Sequence, residues 1–405
     1  MVSALAQRAF FVLLKLYRGA ASWFLQVTAR WSSLEGADHD VVTGKAWEEF
    51  CDSLKAAGAV MMAPGAPRDP FNQAEGYRYL TRILRGGLEN FVECIGVEAP
   101  QLCAIADGWR AAPVKLGSDN PDNLYQSASI DGTKTYIVSG TRGTVSYLGL
   151  GTQSGQYGSD GGLRTVHYME SSEIVYDDMA TGAFRIVLSA DRPKPGPGTP
   201  PNWMELCSAP STALFIVRQT FGLREKEEPA RLLISMWDPI SKTVKAAVPA
   251  PLTAESLQKG LRSTALFVAG ASAMFASWAK GFQRSTNKLP LFDQKLSDSV
   301  GGDPNIRYYH SYWNIPPDHA LKIKFTTPNC KFWNFQLNNH WMESLDYRYH
   351  PVHVNSAMAR MNADGTYTII VAHVDPNASS STFVGNWIST AGHECGTMCF
   401  RWVYA

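Results

Sequence analysis

The order of patterned segments predicts an α+β fold, with a helical N-terminal region, antiparallel strands after it, and a long helix inserted between two strand-rich stretches. Three observations carry this. Apolar residues recur at helical spacing through 44–62 and 71–94. From Pro113 onward, short β-branched and aromatic runs alternate with turn residues. Thr253–Lys280 has helical length and no charge between Arg262 and Lys280. At 405 residues the chain exceeds what one core usually organises. The expected division is a helical region over 1–110, a first β region over 111–200, a helical insertion over 201–282 and a C-terminal antiparallel β domain over 283–405.

Residues 1–31 hold Arg8, Lys15, Arg18 and Arg30, no acid, and many apolar side chains. This describes a cationic amphipathic helix. It is expected to pack on the body of the protein or on a second subunit of a homo-oligomer, with peripheral membrane contact as the alternative. Its apolar run Ala9–Leu14 is shorter than a secretory core of ~7–15 residues and is closed by Lys15, so a cleaved signal is not expected. Trp47, Phe50, Leu54 and Val60, then Tyr77, Leu80, Leu84, Leu88 and Phe91, mark two further helices separated by Pro64–Pro70. Strand pairs follow, turning at Asp131-Gly132 and near Thr181-Gly182. Gly149–Gly162 lacks the GxGxxG register and reads as a flexible loop. The prolines of Asp191–Trp203 exclude regular structure and mark a boundary. Helices return at Ser211–Phe221 and at Thr253–Lys280. The second has a cap in Thr253, and its small polar residues suit burial within the protein rather than a membrane span. After a loose stretch at 283–305 come strands LKIKF and CKFWNFQL across Thr327-Pro328-Asn329, TYTIIVAHV after Asp364-Gly365, and TMCFRWVY.

Charges nearly cancel, 37 basic against 36 acidic, and no basic run accompanies exposed aromatics, so nucleic acid is not an expected partner. The seven cysteines are scattered and odd in number, which predicts reduced thiols and a cytoplasmic protein. There is no Walker A sequence, dinucleotide fingerprint or GxSxG elbow, so no cofactor is expected.

The densest functional signal is KFWNFQLNNHW. With period two, Trp333, Phe335 and Leu337 point one way, while Asn334, Gln336, Asn338 and His340 point the other. Three amides and an imidazole are costly to bury without partners, so burial would imply a polar-lined pocket with a ligand or ordered water. Five of the nine histidines (His310, His319, His340, His350, His353) lie nearby, among Glu343, Asp346, Tyr347, Arg348 and Tyr349. Such density suits general acid–base work, and the alternative is a rigid connection bonded to backbone. His340 and Glu343 with His350 or His353 could also form a metal set, but the spacing matches no strong motif and none is assigned. Arg401, between Phe400 and Trp402, could anchor an acidic substrate or form an ion pair with Asp346.

The C-terminal hundred residues resemble the domain-of-unknown-function family 1214, on the strand FWNFQLNNHW, the segment NADGTYTIIVAHVDP and the ending GNWISTAGHECGTMCFRWVY. Upstream, NPDNLYQSASIDGTKTY resembles a weaker version of the motif of its companion family 1254. The resemblance implies antiparallel β-sandwich layers with inserted helices, and it implies no activity.

Two functions are therefore expected in competition, with a His/carboxylate metal-dependent enzyme as a second alternative. One is a cytosolic enzyme acting on a small, largely apolar or amphipathic molecule by lyase, isomerase or hydratase chemistry. Its catalytic groups would be His340, His350, Asp346 and Tyr347, and its substrate-binding groups Asn334, Gln336, Asn338, Trp341, Tyr349, His353 and Arg401. For it, the loop after the polar strand folds back over His340, giving a pH dependence near ~6–7. The other is a non-catalytic binding or assembly protein.

Overall fold

The structure, a computed structural model, describes residues 4–29, 34–94, 96–107, 113–155 and 162–405. Arg30 and the expected limit at residue 110 lie outside them. Helices α1 (Ala4–Ala29), α2 (Gly36–Val42), α3 (Lys45–Ala57) and α4 (Pro70–Leu88) come first. Asp69 starts α4 by accepting from the Asn72 amide, with Pro70 at the first helical position.

The strands β1 (Cys103–Asp107), β2 (Asn123–Asp131), β3 (Tyr136–Thr141), β4 (Tyr147–Gly155) and β5 (Leu163–Glu170) follow. Then come β6 (Ala183–Ser189), β7 (Asn202–Glu205), β8 (Thr212–Thr220), β9 (Arg231–Asp238) and β10 (Thr243–Lys245). They form two sheets, ordered β1-β2-β8-β4-β5 and β10-β9-β3-β6-β7. Ala128, Leu150, Phe215 and Val217 of the first pack with Tyr136, Val138, Ile186 and Leu188 of the second, making a sandwich. After α5 (Ala254–Phe282) and α6 (Gln294–Asp298), a second sandwich is built from β11 (Ile306–Asn314), β12 (Ala320–Phe325), β13 (Phe332–Leu337), β14 (His353–Asn355), β15 (Tyr367–Ala372), β16 (Asn386–Ser389) and β17 (Cys395–Val403). Its sheets are β11-β17-β13-β14 and β12-β15-β16, with Trp333, Phe335 and Phe400 packed on Ile369, Val371 and Ile388. Strand pairing is antiparallel apart from β6–β7 and β15–β16. The fold is α+β.

Helix α5 carries the capping predicted for it, with Thr253 Oγ1 accepting from Ser256 N. Leu261, Phe267, Val268, Ala271 and Phe275 are buried against α3, α4 and the buried Trp341. By length and hydropathy the helix could cross a membrane; 44% of its apolar stretch is buried against the rest of the protein.

Several expectations are corrected. Ser211–Phe221 is the strand β8, paired on both sides with β2 and β4, because a run of β-branched and aromatic residues gains more from two ladders than from a helix. Gly149–Gly155 belongs to β4 instead of a loop, and Gly149 leaves room for the Tyr168 hydroxyl, which would stand 1.7 Å from any Cβ; residues 156–161 lie outside the described ones. Asp131-Gly132 turns a corner from one sheet to the other, and near Thr181-Gly182 pairing is limited to the bridge Asp178–Ala183. LKIKF and CKFWNFQL, β12 and β13, likewise sit in different sheets. The proline-rich stretch joins β6 to its parallel neighbour β7. Cys94 and Cys103 are joined as a disulfide, so not all seven cysteines are thiols. Finally, most of the apolar surface of α1 is not packed on the body: Phe10, Leu13, Tyr17 and Trp23 are all exposed, while Ala21, Ser22, Leu25 and Val27 are half-buried.

Candidate ligand-binding site

Two sheets face each other across a gap, and period two decides what they show to it. On β2 and β8, Ala128, Ile130, Phe215 and Val217 point into the first core, so Tyr125, Ser127, Ile216 and Arg218 face outward. On β11 and β17, Trp313, Phe400 and Trp402 point into the second core, so Tyr308, His310 and Arg401 face back. Helix α5 roofs the gap with Lys259, Phe267, Phe275 and Trp278. Together these elements enclose a mainly apolar cavity of about 500 Å³. Gly117 forms part of its wall at φ +63°, and a Cβ there would come within 2.6 Å of the Phe275 ring, so both conformation and contact require glycine.

The polar groups of this cavity are unusual for their burial. Arg218 is 8% exposed and Arg401 5%, and among the described residues neither has a carboxylate within 4 Å. Arg218 donates to Gly301 O at 2.6 Å, which Gln153 Nε2 also reaches at 3.0 Å. The acids nearby act on them from beyond ion-pairing distance, Asp303 on Arg218 and Asp119 on Arg401, while Asp303 accepts hydrogen bonds from the Tyr147 and Tyr168 hydroxyls and Asp119 from Ser344 N and Oγ. Among the described residues two buried polar atoms, Gln153 Oε1 and His310 Nδ1, have no hydrogen-bond partner. The His310 ring lies parallel to Phe282 and Tyr308 at 5.4 and 5.6 Å, and burial, reinforced by the Arg401 charge, pushes its pKa down to about 3. It is a neutral imidazole, with one donor and one acceptor nitrogen, at ordinary pH. Burial also pushes Tyr125 and Tyr308 upward, which leaves them as neutral phenols.

The polar row of β13 is enclosed, as the sequence allowed, but it is filled by protein instead of facing the cavity. Asn334, Gln336 and Asn338 are fully buried, and His340 is 1% exposed. Their partner is the turn SDNPDN, where Pro121 occupies the second position, Asp122 N donates to Asn120 Oδ1 and Asn123 N donates to Asn120 O. Asn334 Nδ2 donates to Asn120 Oδ1 at 2.7 Å, Gln336 Nε2 to Asp119 O at 2.8 Å, and Asn338 Nδ2 to Ser118 Oγ at 3.1 Å. Arg401 donates to Gln336 Oε1 and Ser118 O. Amides and a carbonyl, rather than an ion pair with Asp346, hold this guanidinium; Asp346 pairs with Arg348 at 2.8 Å. His340 Nδ1 lies 3.0 Å from the Tyr312 hydroxyl, and burial lowers its pKa to about 4.

The structure does not bring the expected acid–base set together. His350 is exposed, Tyr349 is 76% exposed, and Tyr347 lies under the Lys115 ammonium, 4.5 Å from its ring centroid. His353 Nε2 is bound to Asp122 Oδ1 at 2.9 Å, and Trp341 Nε1 donates to Asn72 O. No contact joins Tyr347, Tyr349 or His350 to His340 among the described residues, so the loop does not close over that imidazole. Among the described residues no group of three or more His, Cys, Asp or Glu is arranged to hold a metal.

Sequence reasoning missed a buried ionic cluster that fastens α4 to the second sandwich. Glu75 accepts from His393 Nε2 at 2.9 Å and from Asn339 Nδ2 at 2.8 Å; Glu343 accepts from Arg82 at 2.7 Å. These partners overcome burial and hold Glu75 down to about 2. It also missed Arg218, Gln153 and Tyr125. An arginine in the apolar run TALFIVRQT was the signal for Arg218, hidden by the helical reading of that run.

No family model matches the chain, and no curated protein matches it. The resemblance to families 1214 and 1254 therefore rests on the motifs quoted above. Among solved structures, the chain is similar to an uncharacterized protein from Burkholderia cenocepacia, at 44% identity and a TM-score of 0.81, covering 90% of this chain and 95% of that one. The VPA0106 protein from Vibrio parahaemolyticus is 13% identical with a TM-score of 0.45, covering 82% of this chain and 94% of that one. With that identity over nearly its whole length, the chain belongs to the family of the Burkholderia cenocepacia protein.

Proposed function

We propose that the protein binds a small amphipathic anion, a carboxylic acid with an apolar body, in the cavity under α5. The supporting observation is that Arg218 and Arg401 are both more than nine-tenths buried beside an apolar space without an acid in ion-pairing range among the described residues. Asp303 acts on Arg218, and Asp119 on Arg401, only from beyond ion-pairing distance; a buried guanidinium without a direct ion pair is costly, and a ligand acid would add charge-assisted bonds. Phe267, Phe275 and Trp278 would cover the apolar body. The unpartnered Gln153 Oε1 favours a ligand that also carries a donor such as a hydroxyl, which could also bond His310 Nδ1 in either tautomer.

Binding is favoured here over lyase, isomerase or hydratase turnover. The imidazole in this cavity is His310, and at about 3 it is too weakly basic to abstract a proton at neutral pH. The test is titration calorimetry with decanoate and decanol, after native mass spectrometry for any co-purified acid. Decanoate should bind roughly tenfold or more tighter than decanol, the worth of a charge-assisted hydrogen bond of ~1.5–3 kcal/mol. Equal affinities, or none for either, would remove the anion reading.

A further inference from the structure

Helix α1 carries a wide apolar face that is largely uncovered among the described residues. Phe10, Leu13, Leu16, Tyr17, Trp23 and Phe24 are each between 58% and 73% exposed. Its ion pair with the body is Arg18 to Glu48 at 3.4 Å, itself exposed and weak. At about 100° per residue, these six positions, with Val12, Leu14 and Leu25, fall on one side over roughly two thirds of the circumference. Arg8, Lys15, Arg18, Ser22 and Gln26 fall on the remaining narrow arc, where Phe11 is the one large apolar intruder.

We infer that α1 is a lipid-docking helix that lies along the surface of an anionic bilayer, with its apolar arc among the acyl chains and Arg8, Lys15 and Arg18 at the phosphates. Charge complementarity selects this occupant. The helix has three cations and no acid, which suits phosphate headgroups. A second copy of α1 fits less well. A two-helix seam covers a narrow stripe, far less than this arc, and three cations with no acid offer the partner helix no complementary flanking charges.

The test is flotation of the full-length protein with vesicles of phosphatidylcholine alone and with added phosphatidylglycerol. Binding to the anionic vesicles should exceed that to the neutral ones by roughly hundredfold for three cations, and it should fall with added salt. The double substitution Leu13→Asp and Leu16→Asp should abolish flotation without changing the thermal midpoint, because neither side chain is packed on the body. No flotation would overturn the inference. Failure to float with an oligomer that the same substitutions dissociate would give the face to a second copy. Flotation equally strong on neutral vesicles and insensitive to salt would overturn the anionic part.

Discussion

Two sets of buried polar groups face the space between the sandwiches, and they differ in one respect. On β13, Asn334, Gln336 and Asn338 have protein partners at nearly every turn, supplied by the SDNPDN segment and Arg401. On β8, β4 and β11 around the cavity, Arg218, Gln153 and His310 are almost as buried, yet among the described residues Gln153 and His310 each hold an unpartnered polar atom and Arg218 has no acid in ion-pairing range. Burial alone does not mark a site. A satisfied network fixes one arrangement of the chain, whereas an unsatisfied one waits for a group that the protein does not supply.

The largest test of this contrast is Gln336→Leu. It removes the acceptor of Arg401 and the donor to Asp119 O while burying the same volume. A guanidinium left short of a partner in the interior should lower unfolding stability by about 3–5 kcal/mol, read by chemical denaturation. A loss under about 1 kcal/mol would show that the row is not a structural network.

Acid should expose the same contrast through two histidines, one in each set. His340 is held at about 4 and His310 at about 3, both below the unfolded value near 6.5, so the unfolded chain binds each proton first. Stability is therefore fully present above that unfolded value and falls as pH drops through it, at up to ~1.4 kcal/mol per pH unit for each histidine. Glu75, depressed to about 2, adds to the loss below its unfolded 4.5. Denaturation curves between neutral pH and mild acid should show this decline, with His310→Phe shallower than wild type. A flat stability profile would contradict the burial of both imidazoles. This also moves the expected titration of His340 away from the range near 6–7 that an exposed loop site would have given.

Arg218→Met should separate the sets from the other side. Among the described residues the arginine donates to one backbone carbonyl and acts on the buried Asp303 from beyond ion-pairing distance, so stability should fall by about 1–3 kcal/mol, less than for Gln336→Leu. Affinity for decanoate should fall by roughly tenfold or more, while decanol is unaffected. Loss of folding with this variant would place Arg218 among the structural groups.

Much of this architecture was legible in local pattern. The helical spacing of α3, α4 and α5, the Thr253 cap and the alternation along β13 all survive folding. What pattern could not give is which strand lies beside which. Asp131-Gly132 looks the same whether it closes a hairpin or turns between layers, and TALFIVRQT shows its strand nature only once β2 and β4 flank it. The polar row was found but not its occupant, because Asn120 and Asn334 are joined across 214 residues of chain. The two motifs quoted for the family resemblance, NPDN and FWNFQLNNHW, are thus two halves of one contact.

The smallest effect is expected at the loop that looked richest in chemistry. His350 and Tyr349 are exposed; Tyr349 stacks under Arg348 at 5.2 Å, and the guanidinium of that arginine is already fixed by Asp346. Such positions tolerate substitution within about 0.5 kcal/mol. His350→Gln and Tyr349→Ala should therefore leave both the unfolding midpoint and decanoate affinity at wild-type values, measured beside Arg218→Met. The outcome has a sharp converse. If either variant weakened the ligand about tenfold while the fold stayed intact, the binding groups would lie at the surface loop, and the cavity under α5 would lose its claim to them.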